Sequence, residues 1–249
     1  MPLSLFTTEQ TVSGIVRADY RTAEVFRRHG IHFCCGGQVS LSEACRLKGI
    51  EETRILSELE QATQNVLLSN NLRFDEWKID FLIDYLINVH HAYLYAVLPA
   101  LEGALISFAD GHRKKFPEGG QVVEAFQSLS SLLLEHNREE EAILFPYIKQ
   151  IGNAFQRRET YGRLFVQTLR KPLKQVLYND HHRISEQLKA LRAITHSYAF
   201  PDTACTNHQV LFHRLRELDS DLVQHKHLEN NILLPKAIAM EEALLSAVK

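Results

Sequence analysis

The chain has 249 residues, 45% apolar and 23% charged, the balance of a globular protein large enough for one big domain or a small one beside a larger one. A formal net charge of −2 argues against nucleic acid as a partner. No run approaches the ~18 uninterrupted apolar residues of a membrane span, and the first ten residues lack the basic start and apolar core of a signal peptide. A cytoplasmic protein with no membrane contact is expected.

Scarce, clustered glycine and proline favour long helices over strands. Residues 1–70 read as one small helical domain, with a helix near Val12–His29 and a turn at Cys34, Cys35, Gly36 and Gly37. Helices near Leu41–Lys48 and Glu51–Val66 complete it. The polar stretch Ser69–Asp75 reads as a linker. Residues 77–249 read as a second domain of four long amphipathic helices, near Lys78–Ala109, Gln121–Ile151, Thr160–His196 and Asn207–Val248. Pro146 should kink the second helix or end its regular part, Pro172 should bend the third or mark its start, and Pro235 should break the fourth. The expected fold is all-α, a small helical domain followed by an up-down four-helix bundle. Stripes such as Leu82, Leu86 and Leu94 supply its core.

The chemistry is concentrated in a duplicated motif. His136, Glu140, Ile143, Leu144, Phe145 and Pro146 follow the pattern H-x3-E-x2-I-L-[FL]-P, and so do His225, Glu229, Ile232, Leu233, Leu234 and Pro235, 89 residues later. Histidine and glutamate four residues apart share a helix face, so both can hold one cation. A single pair arises by chance on any solvated helix; the duplication with its apolar tail does not.

Among the thirteen histidines, His91, His136, His181 and His225 lie 45, 45 and 44 residues apart, one on each bundle helix. Helices of ~30 residues with short connections return the chain to the same height, so the four converge in one layer. Imidazole and carboxylate without thiolate suit iron or manganese better than structural zinc. Glu140 and Glu229 would face each other and bridge two ions, each ion also taking two histidines. His90 and His182 adjoin two of the chosen residues and are the alternatives to them. His213 and His227 are read as facing solvent or supporting the site.

These motifs resemble the hemerythrin-like bundle over residues 77–249. More specifically, the chain is similar to the bacterial di-iron family that repairs iron–sulfur centres under nitrosative and oxidative stress. The resemblance is carried by His91 with Pro99, by His136 and Glu140 with their Ile-Leu-Phe-Pro tail, by Asp180 with His181, and by Asp221, His225 and Glu229. The N-terminal Phe33-Cys34-Cys35-Gly36-Gly37 is similar to that family's cysteine-bearing domain.

The resemblance implies six ligands to two non-heme irons with an oxo or hydroxo bridge: His91, His136, Glu140, His181, His225 and Glu229. It also implies damaged iron–sulfur proteins as partners, nitric oxide or oxygen species as small ligands, and a homodimer. Oxygen-carrying hemerythrins use a further histidine four residues after the third-helix one, where this chain has Ser185. That departure argues against oxygen transport.

Cys34 and Cys35 have three readings. They are core residues, exposed reactive thiols in a glycine-flanked turn, or soft-metal ligands together with His29 and His32. The resemblance favours a functional pair that receives or relays iron or passes electrons. Cys45 and Cys205 read as structural. The expected function is iron–sulfur cluster repair by iron donation. The alternatives are reduction of nitric oxide or peroxide at the di-iron centre, and, ranked last, small-ligand sensing.

Overall fold

A computed structural model describes residues 6–33, 37–64, 72–159, 161–169 and 173–246. The regular elements among the described residues are all helices; apart from an isolated bridge between Thr11 and Ser40 these residues contain no β-structure. The chain divides into two compact units, one of residues 1–70 with 198–216 and one of residues 71–197 with 217–249.

The first unit contains α1 (Val12–Ala18), α2 (Thr22–Arg28), α3 (Leu41–Lys48) and α4 (Glu52–Thr63). The single helix expected over Val12–His29 is in fact two. Asp19 takes an extended conformation after α1, and its carboxylate accepts from the Arg21 backbone N–H at 3.0 Å and from the Arg21 guanidinium. A short acidic side chain that bonds the backbone two residues on makes a turn out of what periodicity alone reads as helix.

The Thr11 hydroxyl caps α1 by accepting from Gly14 N–H, and the Ser40 hydroxyl caps α3 by accepting from Glu43 N–H. Gly49, at φ 65°, ends α3 in the left-handed conformation that glycine adopts without penalty. Phe26, Ile15, Leu41, Cys45, Ile55 and Leu59 form the core, joined by Val210. Cys45 is therefore a packing residue, as expected.

The second unit carries the bundle. Its first long helix joins α5 (Ile79–Tyr85) to α6 (Ala92–His112) through a π-helical turn at Leu86–His91. The next joins α7 (Gly119–Glu139) to α8 (Phe145–Gln156) through a π turn at Glu140–Leu144. Of the helix expected over Thr160–His196, the described residues include α9 (Gly162–Leu169) and α10 (Leu173–Ile194). Pro172, expected to bend it, lies outside the described residues. The last joins α11 (Thr206–Leu228) to α12 (Leu234–Ser246) through a π turn at Glu229–Leu233.

The prolines explain two of these turns. Phe145 N–H bonds back five residues to the Glu140 carbonyl, and Leu234 N–H does the same to Glu229. The following residue in each case is proline, which has no N–H to misplace, so the widened ladder costs no bond there. The helix expected to break at Pro235 instead widens and resumes, with proline in the first turn of the renewed α-helix.

Ile79, Leu82, Ile83, Leu86, Phe145, Ile148, Ile151, Leu228, Leu233 and Leu244 form the core at this end of the bundle. Among the described residues one helix, Ile79–His112, is long and apolar enough by length and composition to cross a membrane. Its Ile79, Leu82, Ile83 and Leu86 pack in this core, and Asp80, Asp84, His90 and His91 interrupt its apolar run.

Leu86 lies fully buried on the first π turn. Leu86→Ala should destabilise the bundle by about 2–5 kcal/mol in urea unfolding. Leu164→Ala, at a site 66% exposed, should change stability by no more than about 0.5 kcal/mol.

Candidate metal centre

The four expected histidines and two expected glutamates meet inside the second unit. Their positions follow from the π turns: His91 closes the first, Glu140 opens the second, and Glu229 opens the third. His136 and His225 lie in the last turns of α7 and α11, and His181 lies on α10. Single π turns of this kind recur at functional sites, where they re-aim side chains without ending the helix. All six residues are buried, none more than 4% exposed.

The geometry sorts them into two sets. His91, Glu140, His225 and Glu229 offer ligand atoms within 4.8 Å of one another, and so do His136, Glu140, His181 and Glu229. Both glutamates belong to both sets, and each set has its own pair of histidines. The paired imidazoles aim their Nε2 atoms inward, 3.2 Å apart for His91 and His225 and 3.2 Å apart for His136 and His181.

Glu140 Oε2 lies 3.4 Å from Nε2 of both His91 and His136, and Glu229 Oε2 lies 3.1 Å from His181 Nε2. None of these approaches has hydrogen-bond geometry: both oxygens of Glu140 and Oε2 of Glu229 are buried without a hydrogen-bond partner. Atoms this close that do not point at each other point at a common place between them. Buried carboxylates are otherwise paired or neutralised, so this donor set fits a pair of bridged divalent cations of the iron or manganese type.

The electrostatics follow from depth. Burial, then the Glu229 charge, holds the Glu140 carboxyl well above the usual carboxylate range. Burial pushes Glu229 upward too, but the adjoining His225 and His181 overcome it and hold Glu229 well below that range. The two acids are thus driven in opposite directions, as expected for a pair sharing a dry site. Burial lowers His136 to about 3, reinforced by the neighbouring imidazoles against the pull of Glu229. Burial and then His225 lower His91. For His181, burial is outweighed by the adjacent Glu229 carboxylate, with Asn230 assisting, and the net shift is upward.

Two residues that sequence reasoning passed over, Glu141 and Asn230, bond the outer nitrogens of the imidazoles. Glu141 Oε1 meets His91 Nδ1 at 2.7 Å and also accepts from the Tyr95 hydroxyl at 3.1 Å. Asn230 Oδ1 meets His181 Nδ1 at 2.8 Å. Asp180 Oδ2 lies 3.9 Å from His136 Nδ1. The signal was present: Glu141 and Asn230 each follow a motif glutamate directly, so superposing the two copies puts them at one position.

Of the two alternative histidines, His90 is buried behind the site. Its ring stacks on His225 with centroids 5.3 Å apart, and its Nδ1 meets Asp221 Oδ1 at 2.8 Å. His182 faces outward. His213 stacks on Tyr20 in the first unit, and His227 bonds Asn231 at the surface.

Cys34 and Cys35 lie outside the described residues. Flanking them, a Cβ on Gly37 would come within 2.2 Å of the Phe33 carbonyl oxygen, a closeness only glycine permits. The Gly37 carbonyl accepts from Ser13 N–H at 2.8 Å, tying it to α1. His29, considered as a partner for the thiols, meets Glu58 Oε2 through Nε2 at 2.8 Å.

Two family models match the chain. One is a domain of unknown function, DUF542, over residues 8–63, and the other is the hemerythrin HHE cation binding domain, over residues 82–237. The chain is 25% identical over 232 residues to the iron-sulfur cluster repair protein ScdA of Staphylococcus haemolyticus, covering 93% of this chain and 99% of that one. It is 26% identical over 239 residues to the iron-sulfur cluster repair protein YtfE of an Enterobacter species, covering 94% and 98%. A similar protein of the same name from Yersinia pestis is 25% identical over 238 residues. With a donor set that fits divalent cations and a family model spanning the bundle that carries it, this chain belongs to the hemerythrin HHE cation-binding family.

Proposed function

We propose that the protein repairs damaged iron–sulfur clusters and that His91, His136, Glu140, His181, His225 and Glu229 hold the iron it uses. Two non-heme ions per chain are expected, one between His91 and His225, one between His136 and His181, bridged by both glutamates. The observation that carries this reading is the sharing of Glu140 and Glu229 by two otherwise separate histidine pairs. Relatives that match over nearly their whole length are named for cluster repair, which supports damaged iron–sulfur proteins as the targets. Bound non-heme iron would supply a Lewis-acidic, redox-capable centre with exchangeable positions.

The chain's own residues suit a donor of iron. Four neutral imidazoles and two carboxylates bring only two negative charges when fully deprotonated. All six donors are also proton acceptors, so the hold on a cation depends on proton competition. Cys34 and Cys35 are proposed to receive or relay iron at the first unit. Nitrosative or oxidative damage as the occasion for repair, a cytoplasmic setting and a homodimer belong to the same proposal.

The first test is metal content with a visible spectrum. Wild-type protein should carry about two irons per chain with charge-transfer bands of a bridged pair. Glu140→Ala and Glu229→Ala should each lose both ions, because each carboxylate serves both sets; full retention in either variant would refute the ligand assignment.

Protons provide a second test. In the metal-free protein Glu140 is held above the carboxylate range and His181 above its ordinary value, so both retain protons to higher pH. Cation binding must displace those protons, and affinity must fall as pH falls. Calorimetry in buffers of unequal ionisation enthalpy should show net proton release on cation binding, and affinity that does not fall as pH is lowered would refute the coupling. Cluster repair by the double variant Cys34→Ala, Cys35→Ala should be lost while its iron content stays at the wild-type level. Loss of the bundle's iron in that variant would refute a separate role for the thiols.

A further inference from the structure

The duplicated motif makes two like half-sites, but their surroundings differ. In one half the outer nitrogen of His91 bonds the Glu141 carboxylate at 2.7 Å, which the Tyr95 hydroxyl steadies. A carboxylate on the outer nitrogen makes an imidazole a more basic and better oriented ligand. His225, its companion, stacks almost flat on His90, at an interplanar angle of 13°, and His90 in turn is bonded to Asp221.

In the other half the matching position is the neutral amide of Asn230, 2.8 Å from His181 Nδ1. The nearest carboxylate to His136 Nδ1, Asp180, is 3.9 Å away, beyond hydrogen-bond reach. A positive charge is fixed beside this half as well. The Lys226 ammonium donates to Ser185 Oγ at 2.6 Å, and the Ser185 hydroxyl donates to the His181 carbonyl oxygen at 2.5 Å. The two positions therefore differ by a carboxylate exchanged for an amide and by an added ammonium, and both changes weaken the hold of His136 and His181 on a cation.

The helices α7 and α10, which carry this weaker pair, also flank an open groove of about 380 Å³. Its lining includes Glu135, which adjoins His136; His182, which adjoins His181; and Glu186, one turn after His182.

From this geometry we infer that the two ions are unequally held: the one between His136 and His181 is the ion that leaves, and the one between His91 and His225 is retained. The inference rests on the two-ion reading above. The step transfers one divalent cation from His136, His181 and one oxygen each of Glu140 and Glu229 to an acceptor. Its oxidation state does not change, and the vacated donors take up protons from water.

The test is release of ferrous iron from the loaded full-length protein to an excess of a chromogenic chelator, without oxygen. Two phases of equal amplitude are expected. Asn230→Asp and Lys226→Met should each slow the fast phase about tenfold and leave the slow one unchanged, whereas Glu141→Gln should speed the slow phase about tenfold. Lys226→Arg, which keeps the charge, should restore the wild-type fast rate. A single phase from protein loaded with two ions overturns the inference and leaves the centre standing. So does a fast phase that neither Asn230→Asp nor Lys226→Met alters. Protein that takes up no iron overturns the centre and the inference together. Should Asn230→Asp fail to fold by circular dichroism, the two Lys226 variants decide alone, since that half-buried side chain is not part of the core.

Discussion

Two carboxylates buried side by side set the terms for the second unit. Glu140 and Glu229 are at most 2% exposed, and three of their four oxygens have no hydrogen-bond partner. An ionised carboxylate at such depth is costly unless neutralised, and two together repel. The protein arranges four imidazoles around them, drives the two acids' proton affinities apart, and gathers the donor atoms into two sets that share both carboxylates. A core built only for stability would fill this volume with aliphatic side chains. The polar cluster is instead surrounded by them, with Leu86, Phe145, Leu228 and Leu233 packed around the turns that carry its members. The stability of that shell offsets the cost of burying the polar centre.

The π turns show how the sequence meets this demand. A regular helix would keep His136 and Glu140 on one face, but it would not bring Glu141 toward His91 while Glu140 faces the interior. Widening the ladder by one residue changes the angular step just where the next residue must act. Pro146 and Pro235 make the widening easy to sustain, because neither has an N–H to leave unpaired. The Ile-Leu run between glutamate and proline is therefore more than packing. It spans the turn, burying Leu144 and Leu233 while Ile143 and Ile232 lie nearer the surface.

This explains what could and could not be read beforehand. The six converging residues were legible because their evidence is periodic: a four-residue spacing within helices and a 45-residue spacing between them. The all-α class and the bundle were legible for the same reason. The π turns were not, since their hydrogen bonds leave no mark on hydrophobic periodicity; proline was read as an interruption. The division at Asp19 was also missed, because one side chain bonding its own backbone outweighed a continuous helical pattern. Glu141 and Asn230 were overlooked because each contacts a histidine on another helix, and such pairings emerge only with the helices in place. Which histidines pair was likewise a property of the fold.

A duplicated motif tends toward a symmetric site, and symmetry suits storage: two ions held alike are gained and lost alike. Here the residues that must agree for a site to exist, the histidine and glutamate four apart, are the same in both copies. The residue that tunes the outer nitrogen has diverged, carboxylate in one copy and amide in the other. The lysine that follows His225 is likewise matched by Asn137 after His136, so the two copies carry different charge at that position. Divergence confined to the tuning positions keeps the capacity for two ions while separating their affinities. For a protein proposed to supply iron, that separation has a physical advantage. One ion can depart while the other continues to neutralise Glu140 and Glu229, so the buried acids are never left bare and the bundle keeps its core through the transfer.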